Sequence, residues 1–264
     1  VRGTLSRLSV YVFFKEKPEK IKMEILNAED EVIRTYKDLK AKKGLNVFSW
    51  DLAHESPEKI ENSIISLSNT RGPKAVPGTY KVRLTAGEES MMQTFEILKD
   101  PRWTNITADD LKEQFDLQIE VGKKFTQSHD LIKNVRAIRD QVKDISARAS
   151  KAGYAETIKT AAEELTKKLT KLEEDLIQVK SESGQDPINY QVKLDNQIAY
   201  VYSILHSQDS KPIQSINERF GELSEKLDAA MQTFKDLTET DIKAFEELLE
   251  ENNIPRIIYD KMKK

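Results

Sequence analysis

Residues 77–110 read PGTYKVRLTAGEESMMQTFEILKDPRWTNITADD, and the hydrophobic period changes inside them. Tyr80, Val82 and Leu84 alternate with Lys81, Arg83 and Thr85, the period of two that a half-buried strand imposes, and Ala86-Gly87 is a turn signal. Pro101 closes the strand pattern. Thr107, with Asp110 three positions on, is an N-cap signal for a helix. Strands are therefore expected before Asp100 and helices after Trp103.

Working back toward the N-terminus, Ile21, Met23 and Ile25 alternate with Lys22 and Glu24, and Val10 to Phe14 is an unbroken apolar run that reads as a buried strand. Turn signals at Lys17-Pro18, Asn27 to Asp30, Lys43-Gly44 and Pro77-Gly78 separate these runs. Short strands at such spacing predict an all-β sandwich over residues 1–103. Residues 53–76 form a connection of about two dozen residues, longer than structureless loops usually are. It carries Ile60, Ile64, Ile65 and Leu67. These are expected to pack the loop on itself or to form a docking element for a neighbouring domain, and they are the interface candidates.

Working forward, residues 104–264 predict an all-α antiparallel helical bundle. A first helix of roughly 65 Å is expected over about 107–150, with Gly122 the place for a bend. After Gly153, Ile158, Ala162, Leu165, Leu169, Leu172, Leu176 and Val179 keep the alternation of four and three that marks a coiled-coil seam. Leu194, Ile198, Val201 and Leu205 form a third stripe. Ile213, Ile216, Phe220, Leu223, Leu227, Ala230, Phe234 and Leu237 form a fourth. A separate short helix is expected from about Thr240, carrying Ile242, Phe245 and Leu249 and stopping before Pro255.

Composition narrows the function. The 264 residues contain no cysteine, which removes disulfides, thiolate metal sites and cysteine nucleophiles together. Residues 1–103 hold 18 Lys and Arg against 15 Asp and Glu, and the remainder 24 against 30; the signs interleave, so no basic stripe fit for phosphates forms and no nucleic-acid partner is expected. No run reaches the roughly 18 apolar residues of a membrane span. The Val1-Arg2-Gly3 opening reads as a mature product or a segment of a longer protein.

Catalytic patterns are not met. His54, His129 and His206 lack metal-ligand spacing, Gly122-Lys123-Lys124 is not preceded by a phosphate loop, and no Gly-x-Ser-x-Gly occurs. Carboxylate pairs such as Glu163-Glu164 and Glu246-Glu247 fall on solvated helix faces. No metal, cofactor or catalytic residue is expected. Flat rings could still hold a sugar, so Trp50, Trp103 and Tyr36 are the ligand-binding candidates. The structural reading of the first two places Trp50 in the core, on the same strand face as Phe48, and makes Trp103 a wedge at the domain junction. Met91 and Met92 are read as core filling.

Three strings carry a family resemblance: KIKMEILNAEDEVIRTY over 20–36, GLNVFSWDL over 44–52 and PGTYKVRLT over 77–85. Together they resemble the Ig-like domain first known from the flagellar hook-capping protein, which recurs near the C-termini of secreted bacterial enzymes. Asp100-Pro101-Arg102 before a long helix, with LDNQIAYVYS over 194–203, resembles the C-terminal region of bacterial sortilin-like, neuraminidase-repeat propeller proteins often labelled glycosyl hydrolases. Glu29-Asp30-Glu31 stands where that family commonly has glycine, so a different turn is expected there. The resemblance implies an Ig-like sandwich and a bundle forming a non-catalytic accessory module of an exported, extracytoplasmic protein, packed against or orienting an upstream propeller. The alternative is a carbohydrate- or protein-binding module; a part of a glycoside hydrolase that contributes to substrate binding comes third.

Overall fold

The computed structural model describes residues 7–151 and 156–254. Val1-Arg2-Gly3, the expected helix break at Gly153 and the expected stop at Pro255 lie outside the described residues. The first part of the chain is antiparallel β-sheet and the second is helical.

Strand β1 (Leu8–Phe14) pairs only with β4 (Gly44–Trp50); β2 (Ile21–Leu26), β3 (Val32–Tyr36), β5 (Gly78–Ala86) and β6 (Glu89–Ile97) form a second sheet in the order β3-β2-β5-β6. One core is shared by the two sheets. Ile21, Met23 and Ile25 from β2, Phe48 and Trp50 from β4, and Tyr80, Val82 and Leu84 from β5 are buried in it, with Val10, Val12 and Phe14 of β1 packed against them. Trp50 is central, tilted against Tyr80 and edge-on to Phe95, and its indole N–H donates to the Ala53 carbonyl at 2.7 Å. The turn between β2 and β3 shows how the glycine is replaced: Asp30 takes φ +65° itself, and Asn27 holds the turn by accepting from the Glu31 N–H through Oδ1.

Helix α1 (Ala108–Lys151) is continuous through Gly122, so no break falls there. Its capping box forms as expected: Thr107 Oγ1 accepts from the Asp110 N–H at 3.0 Å and the Asp110 carboxylate accepts from the Thr107 N–H at 2.9 Å. Helices α2 (Glu156–Leu176), α3 (Leu194–Ser207) and α4 (Gln214–Leu237) follow. The α2 seam is buried from Ile158 to Leu176; Val179 lies beyond the helix end and is exposed, because the chain has already turned away from the seam. Arg136 and Arg139 meet Glu173, while Lys143 and Ala147 flank Ala162 and Lys167, so α1 and α2 run antiparallel.

The expected separate helix at Thr240 is a continuation. A π-helical turn, Thr238–Ile242, joins α4 to α5 (Lys243–Glu251) without a break. The seam explains it: spacings of three and four run from Leu223 to Leu237, but the next buried residue is Ile242, five positions on. A π turn absorbs one extra residue, so Ile242, Phe245 and Leu249 stay on the buried side. The hydroxyls of Thr238 and Thr240 donate back to the Phe234 and Asp236 carbonyls, four residues earlier in each case.

The chain forms two compact units. One contains residues 1–57, 70–119 and 205–212; the other contains 58–69, 120–204 and 213–264. The strand-to-helix change does fall between Ile97 and Ala108, but the first turns of α1 belong with the sheets, and the middle of the 53–76 connection belongs with the helices.

Candidate functional site

The run Val10 to Phe14, expected to be buried, is covered on one face of β1 alone. Val10, Val12 and Phe14 face the core, whereas Tyr11 and Phe13 are 68% and 69% exposed. Register places Tyr11 opposite Val47 and Phe13 opposite Leu45, and both partners are at least half exposed. Cross-strand neighbours this close form one continuous patch. Two rings of about 200 Å² each, two-thirds exposed, with Leu45 and Val47 beside them, present roughly 400 Å² of apolar surface.

The other sheet shows what an ordinary solvated face looks like. There Glu24 lies opposite Arg83 and accepts from its Nε at 2.8 Å, and it also accepts from Lys22. The Arg83 hydrogen bond holds the Glu24 carboxyl below its usual range against the opposing effect of burial. Charge pairs cover that face, and apolar side chains cover the outer face of β1 and β4.

The ring candidates do not assemble into a platform. Trp50 is 0% exposed, which corrects its place among ligand-binding residues: its indole is consumed by the core and by Ala53. Tyr36 is half-buried, with the Arg34 guanidinium 5.2 Å over its ring and its hydroxyl donating to Asp51. Trp103 lines a groove of about 1070 Å³ in the first unit, with Phe95, Ile97, Leu52, Leu111 and Phe115. Several polar groups around that groove are paired within it: Gln114 bridges the Leu205 and Gln208 carbonyls and the Ser210 N–H, Lys74 pairs with Asp209, and Arg102 grips Asp100. That last contact gives Asp100-Pro101-Arg102 its turn, and it lowers the Asp100 carboxyl to about 2. Met91 and Met92 are exposed on the edge strand β6, which corrects their reading as core.

The 53–76 connection is an anchored strap. In the first unit its ends are zipped: the His54 N–H donates to Pro73 O at 2.9 Å, the Ala75 N–H to Leu52 O at 2.8 Å, and the Gly72 N–H to Ser56 Oγ. In the second unit its middle is held by side chains. The Glu58 N–H donates to Thr126 Oγ1, the Ile60 N–H to His129 Nδ1 at 3.1 Å, and the Asn69 N–H to Ser203 Oγ. Asn196 clamps Ser66 twice, accepting from its N–H at 2.6 Å and donating to its carbonyl at 2.9 Å. Of the four interface candidates, Ile60, Ile64 and Ile65 are half-buried and Leu67 is 80% exposed, with φ +54°.

Sequence reasoning missed this polar anchor. His129 and Asp195 are both buried, with Nε2 and Oδ2 3.9 Å apart and neither atom partnered among the described residues. Burial pushes the His129 imidazole down to about 4 and the Asp195 carboxyl up to about 7. The only signal available was the run Asp195-Asn196-Gln197 set into an apolar helix. Among the described residues no group of three or more His, Asp or Glu could hold a metal ion, and no helix is long and apolar enough to cross a membrane.

No family model and no curated protein matches the chain. Solved structures similar to it include two of truncated FlgD (monoclinic form) from the human pathogen Helicobacter pylori, one from strain 26695. Each is 24% identical, over 34% of this chain and 59% of theirs, with TM-scores of 0.24 and 0.23. The chain thus spans less than two thirds of those proteins, and the likeness is too slight to assign a fold family or a function.

Proposed function

We propose that this chain is a non-catalytic accessory module, an Ig-like sandwich with a helical bundle, that docks against another domain of the same exported polypeptide. The sequence resemblance makes an upstream propeller the expected neighbour. The observation that carries the reading is the Tyr11, Phe13, Leu45 and Val47 patch. Antiparallel sheets that leave a face to solvent usually alternate apolar with polar residues, whereas the outer face of β1 and β4 carries apolar side chains at two adjoining cross-strand pairs.

Area chooses the occupant. A second copy seated face to face would bury about 800 Å² in total, the scale of crystal contacts rather than of a stable dimer. Domains of one chain hold together through about 600–1,500 Å², because the tether supplies the concentration. The patch fits the tethered neighbour.

The test expresses this chain and the polypeptide encoded upstream of Val1 as separate proteins and measures their association by calorimetry. Binding is expected, and Tyr11→Ser with Phe13→Ser should weaken it at least tenfold while leaving the melting temperature within a few degrees. Absence of binding by the unaltered chain overturns the reading. So does a homodimer in solution that the same double substitution dissociates.

A further inference from the structure

Of the side chains that hold the strap, His129 alone can lose its acceptor by taking up a proton. Its Nδ1 accepts from the Ile60 N–H, so in the neutral ring the hydrogen sits on Nε2, the atom facing Asp195. A nitrogen carrying that hydrogen is no metal ligand, and the ring is fully buried against Phe125, with centroids 4.4 Å apart. Protonation would put an N–H donor against the Ile60 N–H, with the two nitrogens 3.1 Å apart.

We propose that His129 makes the 58–69 strap an acid-released latch: a proton on Nδ1 replaces the acceptor of the Ile60 N–H with a second donor, and the strap lifts from α1. The charged groups facing the ring come from three elements. Asp130, Lys133 and Arg136 lie on α1, Lys59 on the strap and Asp195 on α3. Lys133, Lys59 and Arg136 oppose a charged imidazole, adding to the effect of burial, while Asp130 favours it. Arg136 is itself paired with Glu173.

Linkage fixes the window and the sign. With the strap closed the imidazole is held at about 4; with the strap lifted and the ring hydrated it returns toward its ordinary 6.5. Opening therefore takes up a proton between those values. The opening constant should rise tenfold for each pH unit lowered, to about 300-fold in all. Asp195 works the other way, since burial raises its carboxyl and hydration on opening would release its proton.

The test measures amide hydrogen exchange of residues 58–69 between pH 7 and 4, corrected for intrinsic rates, in Asp195→Asn, where the His129 linkage is unopposed. Asparagine retains the oxygen that accepts from the Asn196 N–H. Strap protection is expected to fall about tenfold per unit, while the α2 amides hold theirs. Adding His129→Asn, which keeps an acceptor near Nδ1 but cannot titrate, should flatten the dependence. A flat profile in the first variant, or an unchanged slope in the second, overturns the latch. Imidazole nitrogen shifts in the unaltered chain give an independent reading: His129 is expected neutral, with its hydrogen on Nε2, at pH 5.5. A charged His129 at that pH with the strap still protected also overturns it.

Discussion

Replacing Asn196 with alanine should cost the helical unit more than removing any other side chain that holds the strap. The side chain is 7% exposed and makes two hydrogen bonds to the Ser66 backbone, which is itself 3% exposed. Truncation leaves one buried N–H and one buried carbonyl without partners, at about 1–3 kcal/mol each, so a loss of roughly 2–6 kcal/mol is expected. A water admitted to the vacated space would bring the loss toward the lower figure. For a protein of this size that corresponds to a fall in Tm of roughly 5–15 °C. Two controls sharpen the assay. Ser203→Ala removes one bond, to the half-buried Asn69, and should cost about 1 kcal/mol. Asn196→Asp keeps an acceptor for the Ser66 N–H but sets oxygen against the Ser66 carbonyl beside Asp195. It should be as damaging as alanine near neutral pH and recover in acid, where the protonated carboxyl donates again. Denaturant titration with hydrogen exchange over 58–69 reads all three. An alanine variant within about 0.5 kcal/mol of the unaltered chain, with strap exchange unchanged, would refute the clamp.

Other perturbations follow from the same geometry. A Cβ on Gly72 would stand 1.9 Å from the His54 carbonyl oxygen and 2.7 Å from its carbon, so Gly72→Ala must part the zipped strap base and should cost about 3 kcal/mol; a loss under 1 kcal/mol in thermal unfolding would show that base to be loose. Glu173 is 3% exposed between Arg136 and Arg139, and Glu173→Gln should lose about 2–3 kcal/mol, toward the low end for a buried pair because Arg136 is partly solvated; a neutral outcome by calorimetry would mean the three groups are not coupled. Deleting the exposed Glu239 restores the three-and-four spacing, so the helix should run from α4 into α5 without a π turn and stability should change by under about 1 kcal/mol; a loss above 3 kcal/mol would show that the turn does more than absorb a residue.

Local rules recovered what local physics determines. The alternation in β2 and β5, the Thr107–Asp110 cap and the α2 seam from Ile158 to Leu176 all depend on neighbours within a few residues, and the structure contains them. Misreadings arise where a pattern has two physical causes. An unbroken apolar run such as Val10 to Phe14 looks the same whether its second face meets its own core or lies open, and Met91 and Met92 read as core until β6 is seen to be an edge. The junction at Thr240 was legible in principle, since the jump from Leu237 to Ile242 exceeds any α spacing by one residue. The anchor of His129, Asn196 and Ser203 was not, because its partners lie about 70 to 134 positions away and no local period encodes them.

Synthesis runs from one end, and the strap is made long before its support. Ser66 precedes Asn196 by 130 residues, which at about 5–20 residues per second is a wait of roughly 7 to 26 s. Throughout that interval the Ser66 backbone lacks its clamp, and the unit containing the sheets stays incomplete until residue 212 emerges. Truncations ending near residue 103 would freeze this nascent stage with the strap lacking every one of its helical anchors, and such fragments are expected to recruit chaperones or aggregate where the full chain does not.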